Sequence, residues 1–237
     1  AKAAMDSALL GSGQFCTKPG IIIVPADSNG DKFIAQVEEY VAAQKVGPLL
    51  NKGIASRFSD STGKLAKSAG LKVISGTNNA DGFGVTPTIF VVDWSDVKNH
   101  HDLLEEHFGP TSVIIRAPFD QFLNVAKAME GQLTAALHAG ADENVAELVN
   151  QLTQLAGRVI WNGFPTAVSV TAAQNHGGQW PASSTHTTSV GLDSLYRFVR
   201  PVVYQNFPDN QLPAQLQNGN PYGIERVING ERSTKAI

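Results

Sequence analysis

Cysteine is all but missing: 237 residues hold one, Cys16. A lone thiol excludes an internal disulfide framework and the small disulfide-stapled folds that depend on one. Asn-x-Ser/Thr acceptors are missing too, so a reducing, cytoplasmic setting is the default expectation. Long apolar runs do not occur. A stretch such as "IIIV" at 21–24 is far short of the roughly 18 residues that span a bilayer, so no membrane segment is expected. Blocks of basic charge are also lacking, and the net charge is −3, which leaves no electrostatic footprint for nucleic acid. The opening "AKAAMDSALLG" has no signal-peptide layout and reads as the interior of a longer chain.

What is present is ordinary for a folded protein: 42% hydrophobic and 16% charged residues, in a chain long enough for a sizeable core. Short apolar runs at 20–25, 71–76, 86–93, 111–117, 132–139 and 158–163 read as strands. Between them lie helical patterns. One covers 1–10. Another begins at an Asp31 N-cap and carries Phe33, Val37, Tyr40 and Val41 on one face. A weaker pattern over 54–69 is interrupted by Gly63. After 117 a helix carries Phe122, Val125, Ala126 and Met129, and another, capped by Asp142, carries Val145, Leu148, Val149, Leu152 and Leu155. The alternation predicts an α/β fold with a mainly parallel sheet flanked by helices. From 174 the texture turns to Gly, Ser, Thr and Pro, a long loop of the kind that carries function. Residues 195–207 are β-prone but contain Pro201, and 208–237 read as an extended tail or arm. The expected division is a core over 1–194 and a C-terminal strand and tail over 195–237.

Cys16 lies in "GSGQFCTKPG", among turn formers rather than in an apolar run. Glycines allow close backbone approach, and the N–H groups of such a turn suit an oxyanion. Two readings stay open here, a nucleophile or an inert buried thiol. "GSGQFC" is not a dinucleotide fingerprint, because Cys16 replaces the third glycine and a helix precedes it. "STGKLAKS" likewise fails as a phosphate loop. In "NHHDLLEEHFGP", His100, His101, Asp102, Glu105, Glu106 and His107 gather without a completing ligand cluster, so no metal is expected. Glu106 and Phe108 instead present a carboxylate and an aromatic at one turn, a pair suited to a sugar hydroxyl beside a flat ring. Trp161, Asn162, Phe164 and Trp180 fall near loops and either line a pocket or plug the core. His176 and His186 are loop histidines able to act as bases.

Together, "GQFCTKPG", "EEHFGP" and "NGFPT…HGG…PASS" resemble the aldehyde dehydrogenase superfamily, in its order and across essentially the whole chain. The closing stretch from "HGGQWPASS" is similar to the branch holding 2,5-dioxopentanoate (α-ketoglutarate semialdehyde) dehydrogenases, with bacterial fatty aldehyde dehydrogenases also similar there. The resemblance implies that Cys16 is the nucleophile. It implies that Glu106 holds the nicotinamide ribose of NAD or NADP and that Phe108 packs near the nicotinamide. Gln14, Phe15, Asn162 and Phe164 then shape the substrate pocket or site floor. It further implies an aldehyde substrate, a homo-oligomer, and a cofactor-binding domain upstream that carries the general-base glutamate. That domain is absent from this chain, so the chain alone is expected not to turn over. Family members carry an apolar residue where this chain has His107. Two other classes compete. A non-catalytic assembly module would need no activated thiol. A thioester-forming acyltransferase or hydrolase would need a histidine base beside Cys16.

Overall fold

A computed structural model describes residues 1–68, 70–97 and 101–237, His101 by its backbone alone. The chain forms two compact units, Ala1–Arg197 and Phe198–Ile237.

In chain order the first unit holds α1 (Lys2–Leu9), β1 (Ile21–Pro25), α2 (Ser28–Ala42), α3 (Lys52–Leu65), β2 (Lys72–Ser75), β3 (Thr88–Asp93) and a single turn α4 (Trp94–Val97). Then come β4 (Thr111–Ala117), α5 (Phe122–Lys127), β5 (Gln132–Leu137), α6 (Ala146–Leu155) and β6 (Ala156–Trp161). Four strands form one sheet in the order β1-β4-β3-β2. β4 runs parallel to both β1 and β3, and β2 is an antiparallel edge. The apolar runs of β3 and β4 are continuous because both faces of this sheet are covered. Ile89, Val91 and Ile114 turn to one face and pack with Met5 of α1 and Val37 and Val41 of α2. Their neighbours Phe90, Val92, Val113 and Ile115 turn to the other and pack with Leu65 of α3 and Val125 of α5. The two-residue period therefore splits one run between two cores.

β5 and β6 pair in parallel as a separate two-stranded sheet. The fold is thus α/β with mainly parallel pairing, as expected, but its strands fall into two sheets within this unit.

Several local expectations are corrected. The N-cap of α2 is Asp27, whose carboxylate accepts from the Asn29 and Gly30 N–H groups at 2.7 and 3.1 Å. Asp31 sits in the first turn and pairs with Arg116 at 2.7 Å. α3 runs through Gly63 without a break, capped by Asn51. Asp142 caps nothing: Glu143 accepts from the Gly140 N–H and closes a turn there, so α6 starts only at Ala146. Over 195–207 the backbone forms no strand; a 3₁₀ segment covers Leu192–Arg197 and the rest is irregular. A β-prone segment needs a ladder partner, and Pro201 supplies no donor to one.

The second unit contains an antiparallel hairpin, β7 (Arg226–Ile228) and β8 (Glu231–Ser233). Asn229 and Gly230, both at positive φ (52° and 92°), make its two-residue turn. Asn220 clamps that unit from inside, donating to the Ile224 and Thr234 carbonyls.

Candidate active site

Cys16 is presented by a left-handed turn. After α1 the chain passes through Gly11, Ser12 and Gly13 at φ of 58°, 59° and 67°. Left-handed backbone is costly for L-residues with a Cβ, so two glycines in three positions make the turn accessible. Ser12 is held by its hydroxyl, which donates to the Gly47 carbonyl at 3.0 Å. A Cβ on Gly13 would lie 2.1 Å from the Gly109 carbonyl oxygen. Backbone therefore meets backbone where the nucleophile loop crosses the "HFGP" turn. Gln14 braces the same turn: it accepts from the Leu50 N–H at 2.9 Å and donates to the Gly11 carbonyl at 3.2 Å. The Phe15 ring folds over Gly11. Cys16 itself is exposed.

The thiol has a partner. His176 Nε2 lies 3.3 Å from Cys16 Sγ, across 160 residues of sequence. The imidazole is 9% exposed, and its Nδ1 is enclosed without a hydrogen-bond partner. Burial pushes its pKa down, and the nearby Arg158 and Arg197 guanidinium groups push it further. A neutral ring leaves Nε2 free to accept the thiol proton. The loop that carries it is tied at both ends. The His176 N–H donates to Thr188 Oγ1 at 2.7 Å, and its carbonyl accepts from the Ser189 N–H at 3.0 Å. Two residues on, Gly178 bridges to Ala156 of β6, and a Cβ there would meet the Gln132 carbonyl at 2.0 Å. Only glycine fits between β5 and this loop. Arg158 is close enough to feel the charge of Cys16, while its own N–H groups donate to the Pro165 and Ala167 carbonyls.

Glu106 and Phe108 are both exposed on the turn before β4. His107 between them is explained by its ring: Ser61 of α3 donates to Nδ1 at 2.7 Å, and Nε2–H donates to the Asp102 carbonyl at 2.9 Å. Burial pushes its pKa down, as a neutral tie requires. This chain closes the turn with hydrogen bonds. Of the histidine–carboxylate cluster, His100 and the His101 side chain lie outside the described residues. Among the described residues no three His, Cys, Asp or Glu side chains lie together.

Asn162, at φ 50°, exchanges two hydrogen bonds with the Ala139 backbone and clasps the ends of β5 and β6. Phe164 packs against His138 with ring centroids 4.8 Å apart and planes tilted by 38°. Cys16, His138 and Phe164 share the lining of a cavity of about 270 Å³ that runs between β1 and β5. Its walls include Ile21, Ile23, Leu133, Leu148 and Leu152. The structure thus brings Cys16 and Phe164 to one cavity, leaves Gln14 and Phe15 on the turn before it, and adds His176 at the thiol, which spacing alone does not reveal. The signal for it was a histidine followed by two glycines inside the long polar loop.

The aldehyde dehydrogenase family model matches residues 1–202, and the chain belongs to that family. Alpha-ketoglutaric semialdehyde dehydrogenase 2 of Azospirillum brasilense is 38% identical over 232 residues, 96% of this chain and 44% of that protein. The alpha-ketoglutaric semialdehyde dehydrogenase of Acinetobacter baylyi is 37% identical over 227 residues, 93% of this chain and 43% of that protein. Lactaldehyde dehydrogenase from Escherichia coli has the same fold at a TM-score of 0.66, with 22% identity over 87% of this chain and 44% of that one. The chain therefore spans less than half the length of these relatives. No described helix is long and apolar enough to cross a membrane.

Proposed function

We propose that these residues are the catalytic part of a longer NAD(P)-dependent dehydrogenase that oxidises an aldehyde to its carboxylic acid, with 2,5-dioxopentanoate as substrate and 2-oxoglutarate as product. The observation that carries the reading is the exposed Cys16 thiol 3.3 Å from a buried imidazole. Sulfur adds to the aldehyde carbon as the thiol proton passes to His176 Nε2. The oxyanion of the thiohemiacetal takes the Cys16 backbone N–H as a donor. A nicotinamide dinucleotide held at Glu106 and Phe108 would supply the two-electron oxidant for the hydride that leaves the former aldehyde carbon. Water then cleaves the Cys16 thioester, releasing the acid and restoring the thiol. The exposed Glu106 carboxylate beside the half-exposed Phe108 ring fits a ribose diol under a flat base, and those two residues would hold the cofactor. The substrate choice is supported by the named relatives. The apolar cavity at Cys16 favours a second substrate, a fatty aldehyde. Cytoplasmic placement agrees with the single thiol. A homo-oligomer is supported by the exposed apolar residues of the C-terminal region, among them Phe198 and Val203 at 84% and 85% exposure.

The first test uses the full polypeptide with either dinucleotide, comparing 2,5-dioxopentanoate with a long-chain aldehyde. A higher kcat/KM on the dioxo acid supports the proposal, and the reverse order selects the fatty substrate. A second reading, acyl transfer or hydrolysis without nicotinamide, gains weight from His176, the base that reading lacked in sequence. It predicts ester turnover by the 237-residue chain alone.

His176→Gln is expected to slow acylation of Cys16 by p-nitrophenyl acetate by roughly 10²–10³-fold. Because burial holds the His176 pKa below its ordinary value, the wild-type rate should fall only as pH drops below about 6.5. That acid limb should vanish in the variant. A His176→Gln rate equal to wild type would remove the imidazole from the mechanism.

A further inference from the structure

We propose that Lys18 is a positioning residue for hydride transfer: its ammonium clamps the nucleophile turn to the Glu106–Phe108 turn and so sets the distance from the Cys16 thiol to the bound nicotinamide. This rests on the nicotinamide-dependent reading above. Lys18 follows Cys16 by two residues, and its Nζ donates to the His107 carbonyl at 3.0 Å and the Thr111 carbonyl at 2.6 Å. The first carbonyl belongs to the residue between Glu106 and Phe108, and the second opens β4. One side chain therefore ties the cysteine loop to the middle of the Glu106–Phe108 turn and to the start of β4. The Gly13–Gly109 backbone contact closes the same seam from the other side of Cys16.

Lys18 is a partly exposed residue whose ammonium is enclosed. Enclosing a cation is costly, and burial pushes the Lys18 pKa down to about 8, with the Glu106 carboxylate pulling the other way. The cost is offset by the two carbonyls that accept from the ammonium. Such a tie is geometrically narrow: a shorter or uncharged side chain leaves the two turns free to drift by fractions of an ångström.

The test is Lys18→Met in the full polypeptide. The dinucleotide KM should rise and kcat should fall, each about tenfold, as expected when reacting groups lose alignment. A deuterium label on the aldehyde C–H should give a larger isotope effect than in wild type, because hydride transfer becomes slower. The rate of Cys16 alkylation by iodoacetamide should stay within about twofold, since the thiol and His176 are untouched. If Lys18→Met does not fold, Lys18→Gln is read the same way. Unchanged dinucleotide KM and isotope effect in a folded variant overturn the proposal. So does an alkylation rate that falls in parallel with kcat, which would place Lys18 at the thiol instead. Wild-type protein that reduces no dinucleotide would refute the function proposed above, and that result is distinct from either.

Discussion

Cys16→Ser in the full polypeptide is expected to lower aldehyde-dependent dinucleotide reduction by on the order of 10⁴-fold or more, with folding unchanged. The alcohol keeps the shape of the thiol but not its acidity or polarisability. His176 is a neutral base of depressed pKa. It is able to take a proton from a thiol as sulfur attacks, but it is badly mismatched to an alcohol. The oxygen ester that serine would form is also a poorer acyl donor than the thioester. Because Cys16 is exposed and lies outside the buried core clusters, the change removes no core packing, and stability should stay within about 0.5 kcal/mol. In the 237-residue chain the same substitution should drop labelling by iodoacetamide from one equivalent to none, since these residues hold no other thiol. Dinucleotide reduction that survives in Cys16→Ser would make the cysteine structural.

Gly13→Ala should be the most damaging small substitution in the nucleophile loop. The new methyl meets the Gly109 carbonyl oxygen at 2.1 Å and the Pro110 nitrogen at 2.6 Å, and both are backbone atoms that no rotamer change moves aside. The residue must also hold φ of 67°. Left-handed strain of about 1–2 kcal/mol and overpacking of about 1–3 kcal/mol together give a loss of roughly 2–5 kcal/mol. For a chain of this size that is on the order of 5–15 °C in Tm, measured by thermal unfolding. The control is Gly63→Ala. Gly63 is exposed in α3, has negative φ, and a Cβ there meets nothing within 4 Å. It should raise stability by roughly 0.4–1 kcal/mol. Equal Tm values for the two alanine variants would show that the seam at Gly109 yields easily.

The strands of the main sheet are legible because their cause is local: runs such as "TIFVVD" and "TSVIIRA" are apolar on both faces. Cap positions are less so. Asp27 and Asp31 are both plausible N-caps by residue type, and the choice depends on where the chain leaves β1, which sequence does not state. The nucleophile turn could be read because its glycines and cysteine are contiguous. His176 could not be assigned, because its partner is 160 residues away and only the glycine-packed loop brings them together. The hairpin at 226–233 was readable. Asn229-Gly230 between short β-prone segments is a strong turn signal, hidden when 208–237 is judged by composition alone. Over 195–207, residue propensity suggested a strand that the backbone does not form without a partner.

The division of strands into two sheets bears on the Cys16–His176 pair. Cys16 leads directly into β1, part of a four-stranded sheet covered on both faces. His176 hangs from β6 through Gly178 and through Asn175, which donates to the Gly157 carbonyl. β5 and β6 alone are a two-stranded sheet, and such pairs are marginal by themselves. Amide hydrogen exchange should therefore be slowest in β3 and β4 and much faster in β5 and β6. The base would then visit and leave its nucleophile through local opening of the weaker sheet, while the thiol stays fixed on the stronger one. Reactivity of Cys16 would then report on how often that sheet is closed.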